Sequence, residues 1–179
     1  MRDSVAVAAG RGGAPGSSTA ERLRSSAAAI LVTGTVAGVV EMLVVLPIQA
    51  ALGNSPLRVF QSIASGLEGR RAYAGGLSTA ILGAVLHLVI SVGAAVVFHL
   101  ASRYWPAIRK RAVLSGLAYG VVVWAVMQFV VLPLSAVAYR PDTDLAMVSL
   151  SIAVHALFFG LPLSLVDRRF QNGSALPAR

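Results

Sequence analysis

The sequence predicts an all-α polytopic membrane protein with four transmembrane helices, and three observations predict it. The composition is too apolar for a water-soluble chain of this size. Four long runs carry almost no charge, and the basic residues gather between those runs.

Of 179 residues, 56% are hydrophobic and only 12% charged, with a mean hydropathy of +0.76. A soluble domain carries about 25% charged residues. A chain this short cannot bury so much apolar side chain in its own core. The remainder needs lipid.

The four runs are 27–52, 77–102, 112–138 and 145–166. Each reaches the length of about 20 residues that crosses a hydrocarbon layer about 30 Å thick. Lipid offers backbone groups no partners, so runs of this length must be helices. They define a transmembrane domain over 27–169, followed by a short cytoplasmic tail over 170–179. Residues 1–26, including "GRGGAPGSS", are rich in Gly, Ala, Ser and Arg, lack a helical period and are predicted to be a disordered cytoplasmic tail. The apolar piece Val5 to Ala9 is too short for a signal-peptide core. A transit peptide shares this composition and is the alternative.

The net charge of +8 comes from 15 Lys and Arg against 7 Asp and Glu. The basic residues form short clusters between uncharged runs, the pattern of topology signals rather than of a nucleic-acid surface, and no nucleic-acid partner is expected. Eleven lie in the first tail, the 103–111 loop and the C-terminus; four (Arg58, Arg70, Arg71, Arg140) lie in the other two loops. The positive-inside rule then places both termini in the cytoplasm. Arg70 and Arg71 run against the trend. With no cysteine, the chain has no disulfide, thiolate metal site or thiol nucleophile.

In the first outer loop, "NSPLRVFQSIASGLEGRR", Ser55 can cap a helix with Pro56 at its first position. Leu57, Phe60, Ile63, Ala64 and Leu67 fall on one face, and Arg58, Gln61, Ser62 and Ser65 on the other. That pattern suits a short amphipathic helix on the outer membrane surface, or an ordinary packed loop. The segment "VVLPIQA" at 44–50 matches "VVLPLSA" at 130–136, and runs two and four each carry a histidine about ten residues in. Two duplicated hairpins, a parallel repeat, would produce this match.

Four polar residues fall in the central zone of the bilayer. At 1.5 Å per residue, Glu41 lies roughly 21 Å and Gln128 roughly 24 Å from the cytoplasmic end, and His87 and His155 each roughly 15 Å from the outer end. Glu41 continues the stripe Gly34, Gly38, and His87 lies among Ala80, Gly83, Ser91 and Ala94. Gln128 follows Gly116, Gly120 and Trp124, while His155 sits with Ser151, Phe159 and Pro162. Spacings of three and four put each set on one face, and small residues mark close helix packing. The four polar side chains are therefore expected to point at one another. Pro47, Pro133 and Pro162 are expected to kink three of the helices and free carbonyls nearby.

Three explanations fit this cluster. It can be an interhelical polar network giving stability, or a proton or small-solute pathway. Or His87 and His155 can be axial ligands of a b-type haem, with Glu41 steering one ring. Haem is the alternative; no cofactor is favoured and no metal site is expected. His99, near the inner interface, is expected to play an ordinary amphipathic role. Asp142 and Asp144 in "YRPDTDLA" read as a turn and a helix N-terminal charge. The chain has no HExxH, GxSxG or GxxxxGK[ST] motif, so the sequence favours a non-enzymatic protein.

The stretch "LHLVISVGAAVVFHLASRYWPAIRKRAVLSGLAYG", then "VVLPLSA", then "VHALFF" before "DRRF", resembles small, uncharacterised bacterial inner-membrane proteins of the YagU-like kind. The resemblance covers roughly half the chain and implies the helix order, an inner-membrane location and no established activity. The expected role is that of a small membrane component or transport accessory in the lipid bilayer. The Gly34/Gly38 and Gly116/Gly120 pairs suit packing within one subunit or between two. A homo-oligomer or a partner membrane protein therefore stays open.

Overall fold

A computed structural model describes residues 19–137 and 143–173, and among them all regular structure is helical. Four helices are long and apolar enough to cross a membrane: Thr19–Ala51, Gly76–Tyr104, Ala112–Leu134 and Leu145–Asn172, here spans 1 to 4. Large apolar residues stand on their outer surface, among them Leu31, Leu43, Val89, Val97, Leu114 and Phe129. Lipid accepts such side chains as readily as a core does, so helix identity here comes from length and apolarity rather than from an amphipathic stripe.

Span 1 begins at Thr19, eight residues before the expected Ala27. The stretch "TAERLRSSAA" has good helix formers and a favourable Glu21 in its first turn. A search for long uncharged runs passes over it because Glu21, Arg22 and Arg24 interrupt the run. Span 4 likewise runs on through the polar "DRRFQ", past the expected Val166, and span 3 stops at Leu134 rather than Ala138. The first part of the N-terminal tail, the end of the C-terminal tail and Asp142 lie outside the described residues.

The prolines act unequally. In span 3 a π-helical segment, Met127–Val131, stands just before Pro133, and in span 4 another, His155–Gly160, just before Pro162. A proline lacks the N–H and its ring crowds the carbonyl four residues back, and a widened turn relieves both. Pro47 lies inside the continuous helix of span 1.

Spans 1 and 2, and spans 3 and 4, pack through glycine. A Cβ on Gly34 would stand 2.6 Å from Val92 Cα, and one on Gly38 2.6 Å from Ser91 Oγ. In the second pair a Cβ on Gly116 would reach 2.7 Å from the Gly160 carbonyl, and one on Gly120 2.6 Å from Ala156 Cα. The glycine pairs thus serve contacts within one subunit, bringing helix backbones together where lipid gives no hydrophobic drive.

The loop helix forms as expected over Pro56–Glu68, with Ser55 Oγ accepting from Arg58 N at 3.3 Å. Its buried face differs from the apolar stripe. Val59, Gln61, Ala64 and Ser65 turn inward, whereas Leu57 and Leu67 are exposed. Gln61 Nε2 donates to the Gly76 carbonyl at 3.0 Å, and the Phe60 carbonyl fills the place a Cβ on Gly83 would take. The helix therefore folds back against the start of span 2.

Where spans 1 to 4 meet, Ala37, Ala95, Phe98, Phe159 and Leu163 form the apolar core, with Tyr119 packed against it. Tyr119 donates to the Ala94 carbonyl at 2.7 Å and ties span 3 to span 2.

Candidate functional site

Glu41 sits on the loop-helix side of this core, only 6% exposed. The helical step from Gly38 points its side chain between spans 2 and 4. Oε2 lies 3.9 Å from His87 Nε2, and Oε1 3.5 Å from His155 Nε2. Two imidazoles from spans 2 and 4 thus meet the one carboxylate of span 1.

The backbone fixes both rings. His87 Nε2 donates to the Gly38 carbonyl at 3.0 Å, and His155 Nδ1 to the Ser151 carbonyl at 2.9 Å, because a carbonyl can only accept. Span 3 enters through Trp124, whose Nε1 donates to Ser151 Oγ at 3.1 Å. In a neutral His155 the Nε2 lone pair therefore faces Glu41. Two acceptors face each other there, and one proton, on either atom, would make a hydrogen bond of the contact. Glu41 Oε1 has no hydrogen-bond partner among the described residues. A buried carboxylate oxygen left so is costly and calls for a proton or a cation.

The cluster forms the floor of a cavity of about 780 Å³. Gln128, carried on the π segment of span 3, lines the wall with Trp124 and Phe129. At the exposed end the cavity reaches Asn54, Arg58 and Tyr73, with the Arg58 guanidinium 4.6 Å above the Tyr73 ring. Of the four residues expected to converge, Glu41, His87 and His155 meet directly, and Gln128 borders the same space.

The haem alternative finds no support in this geometry. Two axial imidazoles must aim lone pairs at one iron. His87 Nε2 is instead a donor to Gly38, and the Glu41 carboxylate turns one oxygen toward each ring.

A second polar group lies on the opposite side of the core, and sequence reasoning missed it. His99 is 4% exposed, buried rather than playing an ordinary amphipathic role, and its Nδ1 stands 2.6 Å from Asp167 Oδ1. Asp167 Oδ2 accepts from Ser102 Oγ at 2.9 Å and Gln171 Nε2 at 2.6 Å, and Gln171 Oε1 accepts from Arg109 at 2.9 Å. Asp167 was hidden in the basic "DRRF" run, which reads as a cytoplasmic tail. The available signal was its spacing: His155, Phe159, Leu163 and Asp167 recur every four residues. Asp144 caps span 4 as expected, accepting from Ala146 N at 2.8 Å.

Residues 25–176 match the model of a family of unknown function, DUF6789. That model carries no link to the YagU-like proteins. None of the curated proteins and none of the solved structures matches the chain.

Proposed function

The chain belongs to DUF6789, whose description assigns no activity, and from its own geometry we propose a proton-linked transport component of a bacterial inner membrane. It is non-enzymatic in this reading, with both termini in the cytoplasm and the cavity facing outward. The excess of basic residues at the tail end supports the orientation.

One observation carries the reading: the Glu41 carboxylate, without a hydrogen bond at Oε1, faces two imidazoles at the floor of the cavity. Intramembrane carboxylate and histidine groups are expensive to keep and commonly hold or pass protons. A volume of about 780 Å³ falls within the range of small-molecule sites, about 300–1,000 Å³, so the same space suits a small solute. Binding and releasing one proton at Glu41 would change the charge the solute meets.

The test is proton flux into liposomes that contain the protein, a trapped pH dye and a potassium diffusion potential. Flux above that of empty liposomes is expected, and Glu41→Gln should bring it to the empty level. Equal flux in wild type and Glu41→Gln, or none in wild type, overturns the reading.

A further inference from the structure

We infer that His99 and Asp167 form a second proton-binding site on the cytoplasmic side of the apolar core, which acts as a closed gate between that site and Glu41. The inference rests on the proton-linked reading above and extends it to a site across the molecule.

The two sites share their chemistry. In each, an imidazole Nδ1 is a donor, to the Ser151 carbonyl for His155 and to the Asp167 carboxylate for His99. In each, the Nε2 lone pair is left without a hydrogen bond. For His99 that nitrogen is buried and has no partner among the described residues. The Asp167 carboxylate, by contrast, is satisfied at both oxygens by His99, Ser102 and Gln171. A proton arriving here has one open seat, His99 Nε2. Taking it makes an imidazolium already hydrogen-bonded to a carboxylate, with no heavy-atom bond made or broken. Releasing that proton from Nε2 to a water molecule restores the starting pair.

The sites also share an axis. Span 2 carries His87, Ser91, Ala95 and His99 at four-residue steps, and span 4 carries His155, Phe159, Leu163 and Asp167. Twelve residues at 1.5 Å separate the ends of each series by roughly 18 Å. Between them stand Ala95, Phe98, Phe159 and Leu163, with Ala37 from span 1. This plug has no side chain that could hand on a proton. Span 1 repeats the step with Glu41, Ala37 and Thr33, and Thr33 Oγ1 is also buried without a partner. Among the described residues, the buried side-chain atoms left unsatisfied are Thr33 Oγ1, Glu41 Oε1 and His99 Nε2. All three belong to the residues of these series, where water entering a loosened core would satisfy them. Among the described residues, Arg109 reaches the lower site through Gln171, Arg103 beside Ser102 donates to Ser26 Oγ, and Tyr119 of span 3 is bonded to Ala94.

The test compares proton flux in wild type, Glu41→Gln, His99→Gln and Asp167→Asn liposomes, with infrared pH-difference spectra of the same proteins in detergent. His99→Gln and Asp167→Asn should each lower flux about a hundredfold, the low end for loss of a proton-transfer group. Glu41→Gln should keep an imidazole protonation signal that His99→Gln removes. Wild-type flux in His99→Gln, with Glu41→Gln silent, overturns the second site and leaves the first reading standing. If wild type carries no flux, the first reading fails and the spectra decide the second. A histidine signal that survives in Glu41→Gln and is lost in His99→Gln upholds proton binding there, and an unchanged spectrum overturns it. Should Asp167→Asn fail to fold, His99→Gln alone carries the comparison.

Discussion

His87 reaches across to span 1 and donates to the Gly38 carbonyl at 3.0 Å, while a Cβ on Gly38 would stand 2.6 Å from Ser91 Oγ. The missing side chain and the hydrogen bond are one arrangement: the first lets the helices close, and the second orients the imidazole.

Gly38→Ala should therefore lower stability by about 1–3 kcal/mol, the usual cost of overpacking. Gly120→Ala should behave alike, because its Cβ would crowd Ala156 Cα at 2.6 Å. Gly93→Ala is the control, since nothing lies within 4 Å of the added atom, and it should be neutral or mildly stabilising. Thermal unfolding in detergent measures all three.

Glu41→Gln should separate stability from function. The amide NH₂ can donate to the His155 Nε2 lone pair, a bond the ionised carboxylate cannot make. The variant is expected to melt at or above the wild-type temperature while losing proton flux. A large drop in melting temperature would show that the carboxylate itself holds the bundle together.

Asp167→Ala should cost about 3–5 kcal/mol, since it leaves a buried His99 and two further donors without their acceptor. Ser102→Ala removes one donor to Asp167 and one acceptor of Gln171, which keeps its bond to Asp167, and should cost about 1 kcal/mol. Denaturant titration in mixed micelles gives both values.

The absence of native cysteine makes orientation directly measurable. Asn54→Cys, beside the cavity mouth, should react with a membrane-impermeant maleimide added to intact cells. Lys110→Cys should react only after permeabilisation. The reverse pattern would invert the orientation and, with it, the side to which the cavity opens.

The fold was readable because lipid removes the usual ambiguity: a long uncharged run has one backbone solution. Helix ends were less readable. Thr19 to Ser26 and the stretch beyond Val166 are polar, and apolar run length stops where lipid stops. Glu41, His87 and His155 could be grouped from depth and small-residue faces, which locate buried sides without a contact map. His99 and Asp167 escaped because each sits close to a basic cluster, where a polar side chain is normally solvated. On the loop helix the sequence gathers the apolar residues on a face for the membrane surface; Leu57 and Leu67 are indeed exposed, while Ala64 of that face and Gln61 and Ser65 of the polar face pack inside.

The π segment at His155–Gly160 has a mechanical meaning. A widened turn holds one surplus residue relative to an α-helix, and one residue is worth about 100° of rotation at 3.6 per turn. Span 4 thus has a built-in swivel, with His155 at one edge of it and Asp167 beyond the other. Slipping the surplus residue along the helix would turn the His155 ring away from Glu41 and leave the Asp167 contacts where they are.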